Sequence, residues 1–244
     1  MALTRFFRSD CFDGFSFLVS GASSGMGAHI ALGLNALGAK VIALGRDCEK
    51  LEKKASEASD KTRFITVSKD ISDFDGLDRW VLDIAKEHGP LHGAVLSVER
   101  AKPLFGCNYF GNLQLVKGLI DRRAKTKEGA SFVWISSNAS IKANKGLSNY
   151  SASKAAVNAA VKSIALEIAP KFRINAISPG FVKTEMIEKW SQVYDEEYIK
   201  AMAASYPLGL GQPIDITPPV CFLLSPMSRW ITGQNLVIDG GGSL

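Results

Sequence analysis

Tyr150 and Lys154 are the residues in this chain best suited to proton chemistry. In Tyr150-Ser151-Ala152-Ser153-Lys154 they stand four apart, so on a helix they share a face, one turn from each other. A neighbouring ammonium favours phenolate over phenol and lowers the tyrosine pKa. A tyrosine tuned this way hands a proton to a carbonyl oxygen, or takes one from an alcohol, near neutral pH. Upstream, Ser136-Ser137 closes the apolar run Phe132-Val133-Trp134-Ile135. By itself the Tyr-x-x-x-Lys spacing equally describes two surface residues on an ordinary helix.

A second group of residues is suited to binding an anion. Gly21, Gly25 and Gly27 lie between an apolar run, Phe15 to Ser20, and a small-residue helix, Ala28 to Leu37. Glycines let the backbone turn tightly and approach a pyrophosphate, and a helix N-terminus offers N–H groups and positive dipole. Ser23 and Ser24 add hydroxyl donors. A tight strand-to-helix turn is the bland alternative, but the strand–turn–helix setting favours a dinucleotide site. The next strand, Lys40 to Leu44, ends in Gly45-Arg46. An acidic residue there would bind the ribose hydroxyls of NAD. Gly45 leaves room instead, and Arg46 offers a guanidinium to a 2′-phosphate. Asp47 follows, in a position to cap a helix. The expected cofactor is NADP (NADPH) rather than NAD.

These groups need a scaffold, and the pattern supplies one. Strands are expected at 15–20, 40–44, 63–67, 93–96, 132–135, 173–177 and 235–238. Helices are expected from Ala28, from Asp47 through Ala58, over 73–87, 107–120, 150–168 and 214–224, with Gly38 closing the first. Phe181 to Ser205 reads as a looser polar segment. Strands alternating with helices mean a parallel sheet with helices on both faces, a Rossmann-like doubly wound α/β fold. No repeat or linker interrupts it, so a single domain over 1–244 is expected.

Composition narrows the class. The chain has 244 residues, 46% apolar and 22% charged, with net charge +5, ordinary for a well-cored globular protein. The densest basic cluster, Arg122 to Lys127, reads as a solvated loop after a helix, with a nucleic-acid patch as the rival. Cys11, Cys48, Cys107 and Cys221 share no short spacing, which argues against a metal knuckle or a disulfide framework. His29, His88 and His92 fit no metal motif, and the last two flank Gly89-Pro90 as expected surface residues. No apolar run approaches membrane-spanning length and no signal peptide is evident. Four reduced thiols and a cytoplasmic setting are expected.

With these motifs in order, the chain resembles the short-chain dehydrogenase/reductase family over nearly its whole length. Ser20-Gly21-Ala22-Ser23-Ser24-Gly25-Met26-Gly27 resembles the family's Thr-Gly-x-x-x-Gly-x-Gly, with Ser20 for threonine. Asp70-Ile71 resembles its adenine-contacting Asp-Val pair. Asn108 resembles the helix asparagine of its catalytic tetrad. Ser137, thirteen residues before Tyr150, completes its Ser–Tyr–Lys arrangement. Asn175 to Thr184, with Pro179, Gly180, Val182 and Thr184, resembles the segment against the nicotinamide and its phosphates. Ile231 to Gly241 resembles its C-terminal strand.

The resemblance implies a carbonyl/alcohol oxidoreductase with a nicotinamide cofactor. Tyr150 would be the general acid/base. Lys154 would lower its pKa and hold the nicotinamide ribose. Ser137 would bind the substrate oxygen, and Asn108 would support a water in a proton relay. The family also implies a homo-oligomer, dimer or tetramer, and the small residues Ala152, Ala155, Ala156, Ala159 and Ala160 permit close helix packing. Met186, Trp190, Tyr194, Tyr198 and Met202 would form a substrate lid.

The chain departs from the family at one place. Leu96-Ser97-Val98-Glu99 stands where the family has Asn-Asn-Ala-Gly, and only Arg100 to Cys107 separates Glu99 from Asn108. That connection is short by a turn or two of helix. Three explanations stand open: a trimmed loop that leaves an open site, residues omitted from the chain as given, or a nucleotide-binding protein of this fold with weak or no catalysis. The register of Asn108 hangs on the connection. The remaining expectations are a small-molecule carbonyl or alcohol substrate, with neither nucleic acid nor membrane as a partner.

Overall fold

The computed structural model describes residues 3–98, 104–184 and 196–244. Residues 99–103 of the short connection, and Met186, Trp190 and Tyr194 of the expected lid, lie outside that description. Among the described residues, seven strands form one sheet: β1 (Ser16–Ser20), β2 (Lys40–Gly45), β3 (Phe64–Ser68), β4 (Gly93–Leu96), β5 (Ala130–Ile135), β6 (Phe172–Pro179) and β7 (Asn235–Ile238). Their order is β3-β2-β1-β4-β5-β6-β7, and every pairing is parallel. Parallel strands are covered on both faces, so they read as continuous apolar runs. β2, β4 and β5 are accordingly buried at almost every residue. The direction of strand addition reverses between β1 and β4, and in open α/β sheets such a switch point is where a crevice forms at the carboxyl ends of the strands.

The helices are α1 (Gly25–Ala36), α2 (Cys48–Glu57), α3 (Leu77–His88), α4 (Asn112–Leu119), α5 (Ser148–Ile168), α6 (Glu196–Ala204) and α7 (Pro213–Leu224). Two apolar cores result, one on each sheet face. One packs α3, α4 and α5 around Leu96, Phe132 and Trp134. The other packs α1 and α7 around Val19, Val95 and Ile177. Local chemistry sets the helix ends. The Asp47 carboxylate accepts the N–H of Lys50 at the start of α2, the capping role expected of it. Gly38, at φ +92°, ends α1 and donates its N–H to Asn35 O. Gln212 N–H donates to Asp215 Oδ2 at the start of α7.

Four expectations are corrected. The helix expected from Asp73 starts at Leu77, because Gly76 takes φ +76° and turns the chain just before it. The helix expected over 107–120 is two pieces, a π-turn at Gly106–Gly111 and then α4. The looser segment expected to run to Ser205 contains α6, whose first turn carries Glu196 and Glu197, charges that suit a helix N-terminus. His92 is no surface residue: its half-buried ring accepts the Ser16 N–H through Nδ1 at 3.0 Å and packs on Phe15. Burial holds its pKa below the ordinary histidine value.

The basic cluster behaves as a loop. Arg122, Arg123 and Lys127 are exposed, Arg123 pairs with Asp121, and Lys125 lies over the Phe172 ring. Among the described residues, no helix is long and apolar enough to cross a membrane.

Candidate active site

The glycine loop sits at the crevice, and its glycines are there for lack of space. A Cβ on Gly21, which has φ +73°, would stand 2.7 Å from Ser97 O at the end of β4. A Cβ on Gly27 would stand 2.3 Å from Gly21 O. The loop therefore folds back on itself and presses against β4. Gly25 has φ +57° and faces the Thr184 methyl, 3.7 Å from where a Cβ would sit. Ser24 precedes α1 without a side-chain bond to its first turn, so the leading N–H groups are open to an anion. Met26 packs on the core beneath α1. A closed glycine cradle at an uncapped helix N-terminus fits a dinucleotide pyrophosphate.

Gly45 has a different reason from the one expected. A Cβ there would meet the Ser23 side chain at 3.1 Å and Leu51 at 3.3 Å, so Ser23 already occupies the space above β2. Arg46 is exposed at the strand end, with Nη1 3.8 Å from Asp70 Oδ2. Both side chains are more than a third exposed, so the pair contributes little stability and can yield the guanidinium to a ligand. Asp70 Oδ1 accepts the N–H and the hydroxyl of Ser72 at 2.8 and 2.7 Å. The Ile71 side chain is buried in the core, which leaves a ligand only its backbone. On the other side of the crevice, Pro179 pairs with Ile238. Gly180 N–H donates to Ile238 O, and Val182 bridges to Gly211. This run carries Thr184 over to Gly25.

The residues expected to transfer a proton lie where β5 meets α5. Lys154 is 1% exposed. An ammonium is costly to bury unless it is bonded, and Nζ donates to Ile135 O at 3.1 Å. It stands 5.7 Å from the centroid of the Tyr150 ring. Ser136 Oγ donates to the carbonyl of Lys154 at 3.1 Å. These two bonds tie the strand end to the helix turn that carries Lys154, and Ser137 is the next residue along the chain from Ser136. Ser137 Oγ accepts the Ala139 N–H at 3.2 Å. Tyr150 is half-buried, partly open to solvent.

Asn108 joins the group despite the short connection. It is 1% exposed, and Nδ2 donates to Ser153 Oγ at 3.2 Å. Ser153 in turn donates to Tyr150 O at 2.8 Å. Its register is held by packing. Tyr109 stacks on Trp134 at 6.0 Å and 15°, Phe110 packs on Phe74, and Gly111 lets the π-turn close on Ile71 O. Two contributors were not singled out in the sequence: Ser153, which links Asn108 to the Tyr150 turn, and the Ser97 carbonyl beneath Gly21. Ser153 lies within the Tyr-x-x-x-Lys run, where spacing carried a signal. Ser97 lies in the Leu96 to Glu99 segment that departs from the family, which marked the segment but not the carbonyl.

A glycine cradle at a switch point, with a buried lysine beside a tyrosine across the crevice, defines a dinucleotide-dependent α/β oxidoreductase. Comparison with known proteins is consistent with this. A family model described as enoyl-(acyl carrier protein) reductase matches residues 21–243. A 3-oxoacyl-[acyl-carrier-protein] reductase of Rickettsia prowazekii is 32% identical over 237 residues, covering 92% of this chain and 95% of that protein. A vibriobactin-specific 2,3-dihydro-2,3-dihydroxybenzoate dehydrogenase of Vibrio cholerae is 32% identical over 252 residues, covering 93% and 95%. The crystal structure of a short-chain dehydrogenase/reductase from Brucella melitensis superposes with a TM-score of 0.86 at 26% identity, covering 97% and 99%. The chain belongs to the short-chain dehydrogenase/reductase family. It is an oxidoreductase of the CH–OH/C=O pair.

Proposed function

We propose that this protein reduces a ketone or aldehyde to an alcohol, or runs the reverse, with NADPH as cofactor and Ser137, Tyr150, Lys154 and Asn108 as its catalytic residues. The observation that carries the reading is the buried Lys154 ammonium, bonded to Ile135 O and 5.7 Å from the Tyr150 ring. Bound nicotinamide supplies the hydride. The chain supplies the rest. Ser137 Oγ holds the substrate oxygen. Tyr150 Oη gives that oxygen its proton, and Lys154 stabilises the phenolate charge left behind. Asn108 sits one hydroxyl, that of Ser153, from the turn that carries Tyr150. A nucleotide binder with little turnover is not favoured, because the relatives named above are reductases and dehydrogenases. Loss of carbonyl reduction in Tyr150→Phe, developed below, is the test.

NADPH preference rests on Arg46. It is exposed at the end of β2, with no carboxylate at that position and only a weak pair to Asp70. Arg46→Ala is expected to raise the Kd for NADPH about ten-fold or more while leaving NADH nearly unchanged, since a charge-assisted contact to the 2′-phosphate is lost. Fluorescence titration with each nucleotide checks this. Equal weakening of both would remove Arg46 from the specificity role.

The assembly reading rests on α5. Ala152, Ala155 and Ala159 are exposed along one stripe, and Leu166, farther along, is 85% exposed. Ala156 and Ala160 are half-buried and belong partly to the subunit's own packing. A second copy packed on this stripe across a two-fold axis gives a homo-oligomer. Sedimentation equilibrium should show a dimer or tetramer that Ala155→Glu shifts to a smaller species. A monomeric wild type at micromolar concentration would count against it.

A further inference from the structure

We infer that Asn112 is a positioning residue, whose side chain holds the π-turn in the shape that aims Asn108 at the first turn of α5. The inference rests on the proposed reading of Tyr150 and Asn108 as parts of the proton-transfer site.

The need for such a residue follows from the backbone. A π-turn disturbs the regular helical ladder. Here the Asn112 N–H goes to Tyr109 O, not to Asn108 O, four residues back, as an α-helix would have it. The Asn112 side chain supplies what the ladder does not. Its Nδ2 donates to Cys107 O at 3.0 Å and to Asn108 O at 3.3 Å. The other end of the amide is anchored too. Oδ1 lies 3.4 Å from Ser20 Oγ, which shares its one hydrogen between Asn112 Oδ1 and Val95 O at equal distance and accepts the Ser97 N–H at 3.1 Å. Asn112 is 1% exposed, and its neighbours Leu115 and Val116 are core residues. A leucine would fill that space. A buried amide costs free energy unless its groups are bonded, and here Nδ2 makes two bonds and Oδ1 faces the Ser20 hydroxyl.

The clamp thus ties the ends of β1 and β4 to the carbonyls of Cys107 and Asn108. From Asn108 the contacts continue through Nδ2 to Ser153 Oγ and from there to Tyr150 O. Gly111 is the counterpart on the other side: a Cβ there would meet Ile71 O at 2.2 Å. Asn112 pulls the turn toward the sheet crest, and Gly111 lets it close on the loop after β3. The side-chain bonds of Asn112 among the described residues go to Ser20, Cys107 and Asn108, not to Tyr150, so its effect is exerted through Asn108.

The test is a double-mutant cycle on the full-length protein, with NADPH and the best substrate from a carbonyl panel. Asn112→Leu keeps the volume and removes the clamp. It should lower kcat about ten-fold or more, with KM for NADPH and carbonyl close to wild type. In an Asn108→Ala background it should add no further loss. Asn112→Asp keeps the shape, but its carboxylate cannot donate. It should show the same loss at pH 8 and recover, relative to wild type, as the pH falls and the protonated acid donates to one carbonyl.

A merely structural role would make the Asn112 and Asn108 losses multiply, and that result overturns the inference. So does a wild-type kcat in either folded Asn112 variant. Tyr150→Phe in the same assay separates the two readings. If it retains full activity, or if wild type reduces nothing in the panel, the proton-transfer reading fails and this inference fails with it. If it is inactive while the Asn112 variants are normal, only this inference fails.

Discussion

Replacing Tyr150 by phenylalanine is expected to lower kcat for carbonyl reduction by about 10²–10⁴-fold, the usual contribution of a positioned general acid/base. NADPH affinity should stay close to wild type. The substitution removes one oxygen and keeps the ring, so the 5.7 Å relation to Lys154 survives and the helix packing is untouched. Lys154 keeps its bond to Ile135 O, since that bond does not involve the phenol. Stability should therefore change little, which a thermal melt confirms alongside the kinetics. Loss of proton transfer with retained binding separates catalysis from cradle. A Tyr150→Phe enzyme with unchanged kcat on every carbonyl tested would falsify the assignment of Tyr150 as the acid.

The second large effect is expected at Gly27. Gly27→Ala places a methyl 2.3 Å from the carbonyl oxygen of Gly21. The obstacle is backbone, so no side chain can swing aside, and either the loop or the start of α1 must move. Overpacking of this kind costs about 1–3 kcal/mol, and in a chain of this size each kcal/mol lowers Tm by about 2–4 °C. The same displacement disturbs the N–H groups that would meet the pyrophosphate, so the Kd for NADPH should rise at least about ten-fold. Gly76→Ala is the control. Gly76 has a positive φ of 76° but open space around it, so the substitution strains the backbone and should lower Tm without altering nucleotide affinity. If Gly27→Ala bound NADPH as well as wild type does, the cradle would lie elsewhere.

Tyr150, Lys154 and the glycine triplet were legible because their meaning is local. Helical spacing four apart puts two side chains on one face whatever surrounds them. A glycine run between a strand and a helix marks a backbone that must turn tightly. The rhythm of strands and helices was legible for the same reason, since burial on both faces of a parallel sheet writes apolar runs into the chain. Asp47 was legible as a helix cap from its type and place, and its bond reaches only three positions on, to the N–H of Lys50.

Asn108 was legible only in part. Its type and place pointed to the site, but its register depended on a connection shorter than the family's. Contacts distant in sequence decide it: Tyr109 on Trp134, Phe110 on Phe74, and Gly111 against Ile71 O. The sequence holds these residues but not their pairing. Gly45 shows the same limit. Its smallness could be read, yet its reason could not, because Ser23 reaches that spot only once α1 is laid against the sheet.

By itself, then, the sequence determined the fold class, the glycine cradle and the tyrosine–lysine pair, each carried by spacings of a few residues that act through local geometry. The tertiary structure alone decided that Lys154 is buried against Ile135 O, that Asn108 reaches Ser153, and that Asn112 bridges the π-turn to Ser20. Those bonds join elements far apart in the chain. A polar group commits to a distant partner only when the packed core brings the two together and leaves no water to take its place.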